Sequence, residues 1–201
     1  MSDSRHQSHD PAGKPALRTR LLRRRRRLPL AARSAADLRI LATLTELPAA
    51  DVIAGYVPFG TEPGGPDLPA ALHRLLPPGG RLLLPVLLPD QSLDWAIYGG
   101  RLRRTDRGLH EPTGPRLGIA AIGQAGLVVV PAVAVDRRGV RLGRGGGSYD
   151  RALALASPTA EVVALLHDGE LLARPLPQQP HDRRVTAVIT PSGGLVRLPA
   201  D

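Results

Sequence analysis

A chain of 201 residues, 42% of them apolar, is long enough to close one domain around a sizeable core. The absence of cysteine excludes disulfides, thiolate metal sites and cysteine nucleophiles and fits a reducing, cytoplasmic setting, and no apolar run approaches the roughly 20 residues that a membrane-spanning helix needs. The net charge of +9 is carried almost wholly by arginine, Lys14 being the one lysine, and leaves open both an anionic ligand and unspecific adhesion to nucleic acid.

Residues 1–13 are polar and aperiodic and are expected to form a disordered tail, with one domain over 14–201. From Pro15, Leu17, Leu21, Leu22 and Leu28 share a helical face, while the arginines at 18, 20 and 23–27 cover the rest; the run at 23–27 is expected to be solvated. A second helix is predicted with Ser34 as its cap and Asp37 three residues on, burying Leu38, Leu41, Leu44 and Leu47 before Pro48 stops it. Residues 51–57 form a first strand, and the Pro- and Gly-rich loop over 58–66 carries Glu62. A helix over 67–76 precedes strands at 81–88 and 93–98, and 99–126 is loop-rich with weak structure near His110, Glu111 and Pro112.

Val128, Val129, Val130, Val133 and Val135 then predict one buried central strand. Strands at 161–166 and 185–190 complete the pattern. Strands alternating with helices predict an α/β fold: a single three-layer α/β/α domain with a mostly parallel sheet and a Gly-rich loop between a central strand and a helix. Ligands of such folds bind beyond the carboxyl ends of the strands, where Glu62, the segment 141–150, His167, Asp168 and Thr190 all fall.

The segment Arg141-Leu142-Gly143-Arg144-Gly145-Gly146-Gly147 has the chemistry of an anion cradle. Glycines let backbone N–H groups approach a phosphate, guanidinium groups flank them, and Ser148, Tyr149 and Asp150 open the following helix. Aromatics are so scarce that those beside a motif, Tyr56 and Tyr149, are candidate ligand contacts, whereas Trp95 and Tyr98 are expected to pack. His167 and His181 lack metal-ligand spacing and are taken as structural or solvated.

The register Pro131, Ala134, Asp136, Gly139, Arg141, Leu142, Gly143, Gly145, Gly147, Tyr149, Asp150, Arg151 resembles the signature of the 5-formyltetrahydrofolate cyclo-ligase family. Lys14 with Leu17 and Arg18, Tyr56 to Glu62, Glu111-Pro112, His181-Asp182, and Val185 with Val188-Ile189-Thr190 agree in order, so the likeness spans about residues 14 to 190. Ser148 departs from it, standing where the family usually carries Tyr or Phe.

The resemblance implies ATP- and Mg²⁺-dependent conversion of 5-formyltetrahydrofolate to 5,10-methenyltetrahydrofolate, with release of ADP and phosphate. The formyl oxygen is phosphorylated to make it a leaving group, and N10 of the same folate attacks the formyl carbon. Carried over by position, Lys14, Arg18, Arg141, Leu142, Gly143, Gly145, Gly146, Gly147, Tyr149 and Asp150 bind the nucleotide. Tyr56, Val57, Glu62 and Arg144 bind the folate, Arg144 and Tyr149 are the catalytic candidates, and Asp150 and Asp182 hold the metal. The expected partner is the small-molecule folate of a cytoplasmic monomer, with no membrane and no specific nucleic acid. Two readings stand beside this one: a nucleic-acid module built on the Arg-rich helix, and a related nucleotide-binding enzyme with another substrate. The first lacks interleaved aromatics and any zinc or helix-turn-helix pattern; Ser148 keeps the second open.

Overall fold

The structure, a computed structural model, describes residues 13–179 and 182–199. Of the expected N-terminal tail only Gly13 lies within it, and it opens a helix; His181 lies outside it.

Helix α1 spans Gly13–Arg27 and α2 spans Leu30–Thr43, followed by a 3-10 turn over Leu44–Glu46. Pro29 separates the two helices, because proline disfavours helical geometry at the residue before it while its own fixed φ suits a helix start. Ser34 is therefore inside α2 and not its cap, which is Pro29 with φ −56° and ψ 148°. The buried face agrees with expectation only in part: Leu44 and Leu47 are inside, together with Ile40 and Thr43, but Leu38 is 67% exposed. Leucines spaced strictly by three drift around a helix of 3.6 residues per turn, so the predicted stripe cannot share one face.

The main sheet is built from β1 (Val52–Ala54), β2 (Arg81–Leu87), β3 (Leu93–Ile97), β6 (Leu127–Pro131), β9 (Glu161–Leu165), β11 (Ala187–Thr190) and β12 (Gly194–Arg197). Between β1 and β2 lies α3 (Leu68–Arg74), and β4 (Leu102–Arg104) pairs with β5 (His110–Pro112) as a separate ribbon. The strand order is β12-β11-β9-β6-β1-β2-β3, parallel throughout except for the antiparallel edges β12 and β3. Alternation sends successive residues to opposite faces. Ile53, Leu82, Leu84, Val129 and Val163 meet Ile40 of α2 and Leu68 and Leu72 of α3. Val52, Leu83, Val128 and Val162 meet Ile122 and, from α4 (Ser148–Ala154), Ala152 and Leu153. Helices on both faces give the expected three layers.

The expected central strand is two strands in two sheets. β6 ends at Pro131, which cannot donate to a ladder, and the chain leaves the main sheet to form β7 (Ala134–Asp136). β7 pairs with β8 (Arg141–Leu142) and with β10 (Leu171–Leu172) in a small sheet. The turn between β7 and β8 is fixed by Asp136, whose Oδ1 accepts the Arg138 and Val140 N–H groups, and by Gly139 at φ +82°. The glycine loop thus follows a hairpin and not the central strand itself. Leu17 and Leu21 of α1 cover this hairpin by packing on Val133, Ala134, Val140 and Leu142. No helix of the described residues is long and apolar enough to cross a membrane.

Candidate active site

The sheet winds outward in two directions from its middle: β1 leads to β2 on one side, while β6, β9 and β11 follow on the other. The carboxyl ends of β1 and β6 form the switch point where chain connections diverge, which is where an open parallel sheet leaves a crevice. A cavity of about 250 Å³ lies there. Tyr56, Val57, Phe59 and Glu62 line it from the loop after β1, Pro131 and Ala132 from the end of β6, and Arg141 and residues 143–150 from the glycine loop and the start of α4.

Arg141 is the polar centre of this wall. Its side chain is only 4% exposed, Nη1 donates to Pro131 O at 3.2 Å, and Nη2 pairs with the Asp150 carboxylate. The guanidinium carbon stands 5.9 Å from the Tyr149 ring centroid. Its Nε is buried without a hydrogen-bond partner among the described residues.

The loop itself is fastened at both ends. Arg18 of α1 donates from Nε to Gly143 O at 2.8 Å. Arg151 donates from Nη2 to Gly146 O at 3.3 Å and to Gln91 O at 2.7 Å, tying the loop to the β2–β3 turn. Gly147 takes up φ +69° just before α4, and a Cβ there would stand 2.9 Å from Arg151 Nη1.

Opposite the loop, Glu62 is held within its own turn, Oε2 accepting the Phe59 N–H at 2.9 Å. Its Oε1 accepts from Arg144 Nη1 at 3.2 Å, so the two predicted folate contacts bridge the cavity mouth. Arg144 also lies 5.6 Å from the Phe59 ring centroid. Burial, reinforced by the Glu62 carboxylate, raises the phenol pKa of both Tyr56 and Tyr149, with the Arg141 charge opposing this at Tyr149. Both phenols are therefore neutral hydrogen-bonding groups. The Tyr56 proton is committed to Pro63 O at 2.6 Å, which leaves the ring as the part facing the cavity.

Most of the predicted residues converge, but four do not line the cavity: Arg18, which holds the loop from outside through Gly143 O, and Lys14, Leu142 and Asp182. Lys14 lies on α1 one turn before Arg18. The Leu142 side chain turns into the core beneath the hairpin, because β8 alternates and Arg141 takes the cavity side. Asp182, paired with Asp150 in the sequence reading, sits in a turn where Oδ2 accepts the Gln179 N–H at 2.9 Å.

Arg25, Phe59 and Glu111 line the cavity and were not anticipated. Arg25 is 1% exposed, which corrects the expected solvated face over 23–27. Its Nε and Nη2 each reach a Glu170 carboxylate oxygen at 2.7 Å, and Nη2 also donates to Ala132 O. The signal was present in the spacing: Leu17, Leu21 and Arg25 follow one another at four-residue steps on the inward face. Glu111 anchors the β4–β5 ribbon by accepting the Leu87 N–H at 3.1 Å.

These residues suit a nucleoside triphosphate: glycine backbone, the Arg141 guanidinium in the wall, and Arg144 and Arg18 alongside. For Mg²⁺ the fit is narrower. Among the described residues no three His, Asp or Glu side chains converge, so Asp150 is the carboxylate available beside the loop. That suffices for an ion that keeps several waters and takes its remaining oxygens from phosphates.

The model of the 5-formyltetrahydrofolate cyclo-ligase family matches residues 10–191. The 5-formyltetrahydrofolate cyclo-ligase of Mycolicibacterium smegmatis is 43% identical over 195 residues, covering 94% of this chain and 98% of that one. That of Escherichia coli is 30% identical over 131 residues, covering 63% of this chain and 71% of that one. The solved structure of Aquifex aeolicus 5,10-methenyltetrahydrofolate synthetase superposes with a TM-score of 0.75 at 25% identity, over 94% of each chain. The Mycoplasma pneumoniae 5,10-methenyltetrahydrofolate synthetase shares the fold, with a TM-score of 0.67 at 19% identity over 87% of this chain and 96% of that one.

Proposed function

The chain belongs to the 5-formyltetrahydrofolate cyclo-ligase family, and on that premise we infer that it cyclises 5-formyltetrahydrofolate to 5,10-methenyltetrahydrofolate with consumption of ATP. The observation that carries this reading is Arg141: a buried guanidinium that lines the switch-point cavity beside a glycine loop. A cationic fork in that position matches an anionic, multidentate ligand such as a triphosphate.

ATP supplies a phosphoryl group that turns the formyl oxygen into a leaving group. The protein's share of such a reaction is positioning and charge compensation, with no nucleophile of its own. Residues 143–147 cradle the triphosphate with their backbone, and Arg18 and Arg151 fix that backbone from either side. Lys14, on the same helix as Arg18, adds a cation at the outer end of the nucleotide. Arg144 exchanges its contact with Glu62 for the charge that develops on the transferred group, which frees Glu62 to accept hydrogen bonds from the pterin N–H groups. Tyr56, Val57, Phe59 and Tyr149 supply apolar surface to the pterin. Asp150 would hold Mg²⁺ together with phosphate oxygens and water. Ser148, at the start of α4, leaves the aromatic wall to Tyr149 and Phe59.

The test is a near-ultraviolet absorbance assay with 5-formyltetrahydrofolate, ATP and Mg²⁺. Product absorbance should rise with all three present and stay flat when ATP is omitted. Nucleotide hydrolysis that ignores folate, with no product absorbance from folded protein, would instead point to a nucleotide-dependent enzyme of different substrate.

A further inference from the structure

The loop that carries Glu62 has few contacts of its own, yet three side chains from three separate elements hold it. Tyr56, just beyond β1, donates to Pro63 O at 2.6 Å. Asp37 of α2 accepts the Gly64 N–H through Oδ1 at 2.8 Å. His167, just beyond β9, meets Thr61 O through Nε2 at 3.0 Å, which fixes Nε2 as the protonated nitrogen because a carbonyl can only accept. The contacts fall on residues 61, 63 and 64, and so bracket Glu62 on both sides.

His167 is itself held in place. It is 5% exposed, and its backbone N–H donates to Glu170 Oε2 at 2.8 Å, the same carboxylate that Arg25 grips. A continuous path therefore runs from Arg25 on α1, through Glu170 and His167, to the peptide that precedes Glu62. Asp37 lies close enough for the His167 charge to act on it. The reaction chemistry described above uses neither His167 nor Asp37.

We propose that His167 and Asp37 are positioning residues for the folate side of the site, clamping the Thr61–Gly64 backbone so that the Glu62 carboxylate is preorganised toward the pterin. The proposal rests on the reading of Glu62 as a folate contact. A loop of glycine and proline that is not clamped must be ordered when substrate binds, and that ordering is subtracted from affinity. The glycine loop is held by other residues, Arg18 and Arg151, so the nucleotide side should not depend on the clamp.

The experiment measures equilibrium binding of 5-formyltetrahydrofolate and of ATP separately, with thermal unfolding as a control. His167→Leu and Asp37→Ala should each weaken folate binding about tenfold, the effect of one lost ordering hydrogen bond, while ATP binding stays within about twofold. His167→Gln retains an N–H donor near the Nε2 position and Asp37→Asn retains Oδ1, so both should recover most of the folate affinity. On a Glu62→Ala background, His167→Leu should cause little further loss. Equal weakening of both ligands, unchanged folate binding, or losses that add fully to that of Glu62→Ala would each overturn the clamp. If Glu62→Ala alone binds folate normally, the reading of Glu62 is wrong; if it loses folate while the clamp variants do not, only the clamp is wrong. Should His167→Leu fail to fold, Asp37→Ala at its half-buried site decides the matter by the same measurements.

Discussion

Arg25 and Glu170 lie 145 residues apart and form a bidentate ion pair, two contacts of 2.7 Å, with side chains 1% and 2% exposed. The pair joins α1 to the segment after β9, and through Ala132 O it also reaches the end of β6. Removing one partner leaves an uncompensated buried charge. Arg25→Met should therefore destabilise the fold by about 3–5 kcal/mol, whereas Arg25→Met with Glu170→Leu should cost far less than the sum of the single changes. Urea unfolding of the three variants measures both quantities.

Arg141 is expected to be intolerant of even a lysine. Arg141→Lys keeps the charge but loses the planar fork that meets Pro131 O and Asp150 at once while lining the cavity. Turnover should fall roughly 100-fold, the loss typical of removing one preorganised donor. Asp150→Asn should instead raise the magnesium concentration needed for half-maximal rate. Steady-state kinetics across ATP and Mg²⁺ separate the two effects.

Arg144 should behave in the opposite way to Arg25. Its side chain is 47% exposed, although that of Glu62 is 9%, and Glu62 keeps the Phe59 N–H when the arginine is lost, so Arg144→Ala should change stability by only about 1 kcal/mol. Activity should nevertheless drop on the order of 100-fold, since the arginine's value lies in the charge it meets during reaction. Paired measurements of melting temperature and kcat test this separation; a large drop in melting temperature with kcat unaltered would contradict it.

Alkaline pH should unfold the protein through its buried phenols. Tyr56 and Tyr149 have native pKa values raised above the ordinary 10.0 by burial. In the unfolded chain they release protons above about pH 10, while in the native state they retain them. The unfolded state then binds fewer protons, so stability is fully present below pH 10 and falls as pH rises beyond it. An ultraviolet tyrosinate titration should show these two phenols ionising together with loss of helical circular dichroism. Ionisation of both in the native protein would disprove the shift.

Much of the site was legible because its parts are contiguous. Residues 141–150 predicted a phosphate cradle from glycine spacing and flanking arginines, and the structure brings all of them but Leu142 to the cavity. The alternation of strands and helices predicted the three-layer domain with its mostly parallel sheet. Errors arose where one residue decided geometry. Pro29 moved the start of α2, and the three-residue spacing of the leucines left Leu38 off its buried face. Pro131 ended β6 and sent Ala134–Asp136 into a different sheet. The edge strand β12, half-buried and short, offered too weak an apolar pattern to be recognised.

The sequence by itself determined the local chemistry: which backbone approaches an anion, which faces of the helices are apolar, which runs alternate. Those properties depend on neighbours a few residues apart, through backbone dihedrals and the helix and strand periods. Tertiary structure alone decided the pairings. Five consecutive arginines look alike along the chain, and only the packing of α1 on the hairpin gives Arg25 a buried carboxylate while its neighbours face water. Glu62 likewise owes its setting to Asp37, Tyr56 and His167, which the strand order brings to one crevice from distant parts of the chain.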